Sequence, residues 1–486
     1  MAEATWLGID LGTSGVKTLM MDADQTVLAV AHAPLDVSRP QPGWSEQAPE
    51  DWWRATQATL DELARTEPER MAAVRGIGLS GQMHGATLLD KDASVLRPCI
   101  LWNDGRSSQE CESLDARADY RGIGGNLVMP GFTAPKLEWV RLHEPEVFAQ
   151  VAKVLLPKDY VRLCLTGDYI SEMSDSAGTL WLDVAGRQWS PELLAATGLT
   201  EDHMPSLVEG SAVAGRLRPE LASRWGMKTT PVLAGGGGDN AASAAGVGAV
   251  KPGTGFVSLG TSGVLFVATD GFRPNTDEAV HAFCHAVPDV WHQMGVILSA
   301  TDTLNWLARM VGRDPAALTE GVDASAPAPA PLTFLPYLSG ERTPHNNANA
   351  RGALVGMSQS TDVADLARAA MEGVAYAFVD SLDALRAAGT HVDHVYAIGG
   401  GARSQAWVQM IADACGFELQ IPADGDFGGA FGAARLGFAA SEGADPFEVL
   451  TPAPIQRTVT PNPDMAAYHA ENVARYRALY PGTLPT

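Results

Sequence analysis

Short apolar runs occur in pairs along the chain, and in two places a nearly identical polar turn separates the pair. The first turn is Asp10-Leu11-Gly12-Thr13-Ser14-Gly15, and the second, 248 positions later, is Ser258-Leu259-Gly260-Thr261-Ser262-Gly263. Because each turn lies between runs rich in β-branched or aromatic residues, the pattern predicts two β-hairpins. The four flanking runs are residues 6–9, 16–21, 255–259 and 264–268.

The repeated hairpin opens each half of the chain and therefore indicates two similar domains with their turns facing a shared cleft. Between the hairpins, helical periodicity alternates with short apolar runs, which favours α/β domains with sheets covered by helices. Glycine and proline interrupt the pattern at 246–255, so we place a hinge there and predict domains at 1–248 and 249–486. The predicted helices are 51–64, 361–387 and 404–415, and further predicted strands are 74–79, 95–101 and 395–398.

Composition narrows the classes of protein to consider. Hydrophobic residues make up 46% of the chain and charged residues 19%, which excludes disorder as a description of the whole. The net charge of −23 repels phosphate backbones, so we expect no nucleic-acid partner. The five cysteines form no CxxC pair, which argues against a zinc site. Without an apolar run of membrane-spanning length or a signal-peptide pattern, we expect a cytoplasmic protein without membrane association.

The first hairpin turn has the chemistry of a phosphate site. Its residues Gly12, Thr13 and Ser14 combine backbone freedom with hydroxyl donors, and such a concavity suits phosphate oxygens. Asp10, at the end of the strand, would then hold Mg²⁺ through water. A tight turn capped by Asp10 is the alternative for this segment alone. The second copy, with Gly260 and Thr261, favours two phosphate-binding turns on one ligand.

A third glycine cluster follows the predicted strand 395–398. Gly400 and Gly401 allow close backbone approach to an adenine and ribose, and Ser404 stands at the start of the next helix. An ordinary strand-to-helix loop is the alternative. None of the clusters is a Walker A sequence or a clean GxGxxG, which disfavours P-loop and Rossmann folds.

Asp239 is the candidate for proton transfer. A run of four glycines carries the chain from an apolar strand to Asp239 and Asn240, just before a helix-like segment. A carboxylate there can accept a proton from a ligand hydroxyl while Asn240 bonds a neighbouring one, as phosphoryl transfer requires. Capping of the helix by Asp239 is the alternative, and both roles are compatible.

Two further segments could bind a polyol through planar and charged groups beside an aromatic face. The first contains Met83 and His84, and the second contains Trp102, Asn103 and Asp104. A structural histidine and a routine Asn-Asp-Gly turn are the alternatives.

Together with further motifs, these segments resemble the FGGY carbohydrate kinases, from the first hairpin to residue 435. The motifs that carry the resemblance are Asp10 to Gly15, Gly81-Gln82-Met83-His84-Gly85-Ala86-Thr87, Ile100-Leu101-Trp102-Asn103-Asp104-Gly105-Arg106, Phe132-Thr133-Ala134-Pro135-Lys136-Leu137, Leu156-Pro157-Lys158-Asp159-Tyr160 and Leu338-Ser339-Gly340-Glu341-Arg342-Thr343-Pro344-His345-Asn346. One departure is the run before Asp239, which has four glycines where the family pattern has three.

The resemblance implies two actin-like, ribonuclease-H-like domains around a central cleft that holds MgATP. It implies transfer of the γ-phosphate to the terminal hydroxyl of a ketopentose, because glycerol kinases carry an Arg-Glu pair where this chain has Met83-His84. The implied sugar is D-xylulose and the product D-xylulose 5-phosphate. By position, the implied residues are Asp239 as base, Met83, His84, Asp239 and Asn240 for the sugar, Asp10 for the metal, Thr13, Ser14, Gly260 and Thr261 for phosphate, and Gly400, Gly401 and Ser404 for adenosine.

Three alternatives remain open. The first is a kinase of the same family acting on another ketopentose or polyol, and the second is a sugar- or nucleotide-sensing protein with little catalysis. An actin-like polymerising or chaperone ATPase is disfavoured because it has no evident use for Met83-His84 and Asp239-Asn240. Members of the family are commonly dimeric, so a homodimer is a further expectation.

Overall fold

The computed structural model describes residues 3–328, 332–423 and 428–484 as an α/β protein with two large mixed sheets. Its strands are β1 Thr5–Leu11, β2 Gly15–Met21, β3 Val27–Pro34, β4 Glu46–Gln47, β5 Val74–Gly81, β6 Thr87–Leu89, β7 Cys99–Ile100, β8 Lys153–Leu155, β9 Ile170–Glu172, β10 Leu182–Asp183, β11 Gln188–Trp189, β12 Ser206–Val208, β13 Val213–Arg216, β14 Val232–Ala234, β15 Gly237–Gly238, β16 Thr254–Leu259, β17 Gly263–Thr269, β18 His281–Cys284, β19 Trp291–Ile297, β20 Thr333–Leu335, β21 Ala353–Val355, β22 His394–Ile398, β23 Leu419–Pro422 and β24 Ile455–Val459.

The helices connect and cover these strands. They are α1 Pro49–Thr66, α2 Pro68–Met71, α3 Glu110–Asp115, α4 Tyr120–Ile123, α5 Thr133–His143, α6 Pro145–Phe148, α7 Pro157–Thr166, α8 Met173–Ala177, α9 Pro191–Ala196, α10 Pro219–Arg224, α11 Asp239–Val247, α12 Thr301–Val311, α13 Pro315–Glu320, α14 Val363–Ala387, α15 Gln405–Cys415, α16 Gly429–Glu442, α17 Pro446–Val449 and α18 Ala466–Leu479. Among the described residues, none of the helices is long and apolar enough to cross a bilayer.

The two large sheets share one strand pattern, which confirms the two predicted hairpins. In the first sheet the order is β13-β14-β5-β1-β2-β3, and in the second it is β18-β19-β17-β16-β22-β23-β24. The first strand of each hairpin, β1 or β16, pairs antiparallel with the second strand of that hairpin. It also pairs parallel with a strand that comes later in the chain, β5 or β22. Side chains of β1 are buried on both faces, as expected of a central strand covered by helices.

Most of the other predicted elements are present with small shifts. The helices at 51–64, 361–387 and 404–415 are α1, α14 and α15. The strand predicted at 95–101 is wrong as a continuous strand. Only Cys99–Ile100 forms a ladder there, with β4, whereas Val95 makes an isolated bridge to Leu89, so the two ends of the segment pair with different partners.

Helix α16 joins the two halves of the chain. Although it lies in sequence between β23 and β24 of the second sheet, it packs on β1 and β5 of the first sheet and on α11. Glycines on those strands permit the close approach: a Cβ on Gly8 or Gly78 would lie within 2 Å of a carbonyl oxygen of α16. The division at 248/249 stays a prediction about the sequence, and the packing crosses it.

Candidate active site

The motifs of the N-terminal half meet at one edge of the first sheet. Strands β5 and β1 run parallel with Ser80 opposite Asp10, and β15 runs parallel to β5 with Gly238 opposite Gly81. Because the carboxyl ends of parallel strands lie at the same edge, the segments that follow these strands converge. The fold therefore brings Asp10, the Met83-His84 segment and Asp239 to one place.

Asp239 is the first residue of α11, and Gly238, not Asp239, occupies the N-cap position. The interpretation of Asp239 as a helix cap is thus wrong. Its Oδ1 accepts hydrogen bonds from the backbone N–H and the side-chain amide of Asn240, at 2.7 and 3.0 Å. Its Oδ2 carries no hydrogen bond in the described part of the chain. Burial, and next the nearby charge of Asp10, raise the pKa of Asp239 to about 6.

The glycine run before Asp239 is held from behind by a buried network. The guanidinium of Arg162 donates to the carbonyl oxygens of Ala234 and Gly235, and the Oγ of Ser174 accepts from the N–H of Gly238 at 3.0 Å. Gly236 has φ +78°, a conformation that glycine tolerates at low cost. These contacts fix the backbone of the glycine run and, with it, the position of Asp239.

Asp10 lies beside Asp239 and has the donor chemistry of a magnesium site. Its Oδ1 accepts from the Oγ of Ser80 at 2.8 Å. Burial raises its pKa, against the opposing effects of Ser80 and Lys17. No cluster of three His, Cys, Asp or Glu residues able to hold a metal occurs in the described ranges. A lone carboxylate fits Mg²⁺ bound through water and substrate phosphates.

Met83 and His84 adjoin Asp239. A Cβ on Gly238 would meet the Met83 side chain at 3.0 Å, and a Cβ on Gly178 would meet the His84 ring at 2.7 Å, so both glycines make room for this pair. His84 has φ +70°, which is uncommon for a residue with a side chain. Its carbonyl oxygen accepts from Lys136 at 2.8 Å, which fixes that conformation.

The His84 ring has a defined protonation state. Its Nδ1 lies 2.7 Å from the carbonyl oxygen of Gly178, and a carbonyl only accepts, so Nδ1 carries the proton. Burial, and next the charge of Lys136, lower the pKa of His84 to about 3. The neutral ring therefore leaves Nε2 with a lone pair that can accept a hydrogen bond.

The residues of the second predicted polyol segment lie in two different environments. Trp102 and Asn103 are exposed, and the indole N–H of Trp102 donates to the hydroxyl of Thr13 at 3.0 Å. Asp104 is buried, and its carboxylate accepts from the backbone N–H of Ser45 and from the guanidinium of Arg106. These hydrogen bonds occupy both carboxylate oxygens of Asp104 and give it a structural role instead of the predicted contact with a sugar.

Some hydrogen-bonding groups of the first predicted phosphate turn are already bonded to other groups of the protein. The hydroxyl of Thr13 donates to Oε1 of Gln82 at 3.0 Å, and Gly12 donates its N–H to the carbonyl of Gly15. We expected the Thr13 hydroxyl to donate to phosphate, and in this structure its proton is directed to Gln82 instead. Ser14 at the tip is exposed.

The second phosphate turn and the predicted adenosine loop share an edge of the second sheet. The carbonyl of Gly260 accepts from the N–H of Thr301, the first residue of α12, and the carbonyl of Thr261 accepts from the N–H of Ala300 just before it, at 2.9 Å each. Since β16 and β22 are parallel, Gly400 and Gly401 follow at the same edge, and a Cβ on Gly401 would meet Leu259 at 2.8 Å. Ser404 is the N-cap of α15.

Sequence reasoning assigned no role to several residues that the structure places at these sites. Ser80, Gln82, Thr133 and Lys136 support the predicted residues from behind, and they act through contacts 49 to 70 positions apart in the chain. The Phe132 to Leu137 motif was the available signal for Thr133 and Lys136.

Comparison with known proteins agrees with this geometry. A model of the N-terminal domain of the FGGY family of carbohydrate kinases matches residues 5–246, and the model of its C-terminal domain matches residues 255–441. The chain is 50% identical over 484 residues to a xylulose kinase of Escherichia coli (strain K12), covering 99% of each chain. It is 38% identical over 480 residues to a xylulose kinase of Bacillus subtilis (strain 168), covering 98% of this chain and 95% of the other.

Solved structures confirm the predicted fold, two actin-like α/β domains of the sugar kinase type. A xyloylose kinase from Brucella ovis superposes with a TM-score of 0.97 at 55% identity, covering 98% of this chain and 99% of that one. A xylulose kinase from Rhodospirillum rubrum gives a TM-score of 0.90 at 30% identity, covering 98% of both. The chain belongs to the FGGY family of carbohydrate kinases.

Proposed function

We propose that this enzyme transfers the γ-phosphate of ATP to D-xylulose and releases ADP and D-xylulose 5-phosphate. The observation that carries the proposal is the Asp239 carboxylate, which has one free oxygen and a pKa of about 6 beside the Met83-His84 pair. The chain is similar over nearly its whole length to relatives that are xylulose kinases, and this similarity supports the choice of sugar.

Asp239 is the base in this proposal. At neutral pH its carboxylate is mostly ionised, and Oδ2 accepts the proton of the terminal hydroxyl. The hydroxyl oxygen then forms a bond to the γ-phosphorus while the bond to the ADP oxygen breaks, so ADP leaves with the electron pair. Asn240 holds Oδ1, which directs Oδ2 toward the substrate.

Met83 and His84 hold the sugar for this transfer. Nε2 of His84 accepts a hydrogen bond from a sugar hydroxyl, and the Met83 side chain fills the space against Gly238. Because Gly238 immediately precedes Asp239, the Met83 side chain lies against the segment that carries the base. Such positioning supplies a large part of the rate enhancement in phosphoryl transfer.

MgATP would lie against the two hairpin turns. The exposed Ser14 and the backbone of Gly12, Gly260 and Thr261 would contact phosphates, and Gly400, Gly401 and Ser404 would contact adenosine. Asp10 would hold Mg²⁺, which supplies charge neutralisation of the phosphates when bound. Closure about 246–255 would exclude water, which otherwise competes with the sugar hydroxyl.

The test is ADP release at saturating MgATP with D-xylulose, L-ribulose, glycerol or no sugar, for the wild type and Asp239→Ala. We expect strong stimulation by D-xylulose, and at least about a 10²-fold loss of turnover in the variant with sugar binding partly retained. Near-normal turnover of Asp239→Ala would remove it from the role of base. Equal low rates with every sugar would favour a sensing protein instead.

A further inference from the structure

A loop of the C-terminal half is fixed over the strands β18 and β19. The backbone N–H of Thr343 donates to the carbonyl oxygen of Val296 at 3.1 Å, and its hydroxyl donates to the carbonyl oxygen of Ala279 at 3.1 Å. The adjacent Glu341 accepts from the N–H of Leu298 at 3.0 Å. Arg342 lies between these two anchored residues, so its backbone position is set by the sheet.

The guanidinium of Arg342 has no hydrogen bond or ion pair among the residues that the structure describes. It lies close enough to the rings of His84 and His281 to lower the pKa of both. Burial lowers the pKa of Arg342 itself. The neighbouring Glu341 makes no ion pair with the guanidinium, since its Oε1 accepts from the backbone N–H groups of Leu298 and Arg342, and burial raises the pKa of Glu341 to about 8. A partly buried guanidinium has five donors and no acceptor, so it requires acceptor atoms from elsewhere.

An aromatic wall connects Arg342 to the predicted sugar contacts. The ring of Phe132 lies 4.8 Å from that of His84 and 5.5 Å from that of His281, as centroid distances. Phe283 stacks on His281 at 5.7 Å. His281 and Phe283 belong to β18, in the C-terminal half, whereas His84 and Phe132 belong to the N-terminal half. The two halves therefore share one wall beside His84.

The contacts of Asn126 show which ring nitrogen of His281 carries the proton. The side-chain amide of Asn126 donates to the carbonyls of Gly124 and Ala282, so its oxygen is the acceptor that faces Nδ1 of His281 at 2.9 Å. Nδ1 of His281 thus carries the proton and Nε2 accepts, as in His84. Two acceptor nitrogens beside one donor guanidinium match a ligand that has hydroxyls and an acceptor-only oxygen. A phosphate would offer acceptors to the imidazole lone pairs, which disfavours an anion here.

We propose that Arg342 is a specificity-determining residue that donates to the carbonyl oxygen of a ketose, while His84 and His281 accept from its hydroxyls. The inference rests on the proposed function and deepens it. The hydroxyl of Thr343 is bonded to Ala279, two residues before His281, so the loop that carries Arg342 lies beside the start of β18. The proposal assigns Arg342 to the end of the sugar away from the reacting hydroxyl, where a ketose differs from a polyol.

The experiment compares Arg342→Gln and Arg342→Lys with the wild type. The matched control is Arg351→Gln, an exposed arginine near the same loop whose guanidinium bonds the carbonyls of Ala348 and Ala350. For Arg342→Gln we expect the KM for D-xylulose to rise about 10- to 100-fold, the loss typical of a hydrogen bond to a charged group. The inhibition constant of xylitol, which lacks the carbonyl, should change less than about 3-fold, and so should the KM for ATP.

Three results would overturn the inference: a D-xylulose KM within about 2-fold of wild type in a folded variant, equal losses for D-xylulose and xylitol, or the same effect in Arg351→Gln. Folding is checked by the thermal midpoint. If Arg342→Gln does not fold, Arg342→Lys decides, with a D-xylulose KM at least about 5-fold higher expected because an ammonium lacks the planar fork. Failure of the wild type to phosphorylate D-xylulose would instead overturn the proposed function itself, a result independent of the variants.

Discussion

The ammonium nitrogen of Lys136 lies 2.8 Å from the carbonyl oxygen of His84 and also donates to the carbonyl of Gly131. The hydroxyl of Thr133 donates to the same His84 oxygen at 3.2 Å. These contacts hold His84 at φ +70°, a conformation that a histidine adopts only where its surroundings enforce it. The backbone conformation that positions the His84 imidazole therefore depends on Lys136 and Thr133.

Lys136→Met should raise the KM for the sugar about 10-fold and leave the KM for ATP nearly unchanged, because the backbone of His84 relaxes while the phosphate turns stay in place. Lys153→Met is the control, since Lys153 also donates to two carbonyls, those of Asp202 and Met204, far from the site. Steady-state kinetics with each substrate varied in turn measures both constants. An unchanged sugar KM in Lys136→Met would contradict the positioning role.

The pH dependence of kcat/KM should show an acid limb at or below about pH 6. As the pH falls through the pKa of Asp239, the carboxylate is protonated and cannot accept the hydroxyl proton, so the rate falls. A bound cation near Asp10 would move the limb downward. His84, with a pKa of about 3, stays neutral throughout this range. His84→Gln should therefore lower the rate and keep the limb in place, and loss of the limb in that variant would assign it to the histidine.

Ser80→Ala should increase the concentration of Mg²⁺ needed for half-maximal rate by roughly 10-fold. Ser80 donates to Asp10 and lowers its pKa, so its removal favours the protonated carboxyl, which cannot serve a cation. Ser45→Ala is the control, because the buried hydroxyl of Ser45 has no hydrogen-bond partner in the described part of the chain. Initial rates at saturating ATP and sugar, with free Mg²⁺ varied, measure the effect. Identical Mg²⁺ curves for the two variants would argue against Asp10 as the metal-associated carboxylate.

Gly78→Ala should destabilise the protein by about 3 kcal/mol or more. Its Cβ would lie 1.8 Å from the carbonyl oxygen of Ala433 in α16, so strand and helix must separate. Gly271→Ala, where a Cβ meets nothing within 4 Å, should change stability by less than about 0.5 kcal/mol. Urea unfolding followed by circular dichroism compares the two. Equal midpoints would show that the contact between β5 and α16 is looser than the structure indicates.

The sequence was sufficient for features encoded locally. Both glycine turns, the helices α1, α14 and α15, and the glycine run that leads to Asp239 have short-range signals in periodicity and turn chemistry. The parallel pairing of β1 with β5 was not among the predictions, and it is this pairing that brings Asp10 and the Met83-His84 segment to one edge.

Features that depend on long-range contacts could not be predicted in this way. The buried pairing of Asp104 with Arg106 and Ser45 looks, in sequence, like any exposed Asn-Asp-Gly turn. The hydroxyl of Thr13 looked available until its partners, Gln82 and Trp102, were placed beside it by the fold. Periodicity reports the face that a residue occupies and not the partner it meets.

The position of α16 also bears on how the protein is made. Helix α16 packs against the faces of β1 and β5 that carry Gly8 and Gly78, and it emerges from the ribosome roughly 180 residues after residue 248. At about 5–20 residues per second, that interval is on the order of ten seconds or more. During synthesis, the apolar surface of the first sheet that α16 contacts therefore stays exposed until this late segment of the chain has been made.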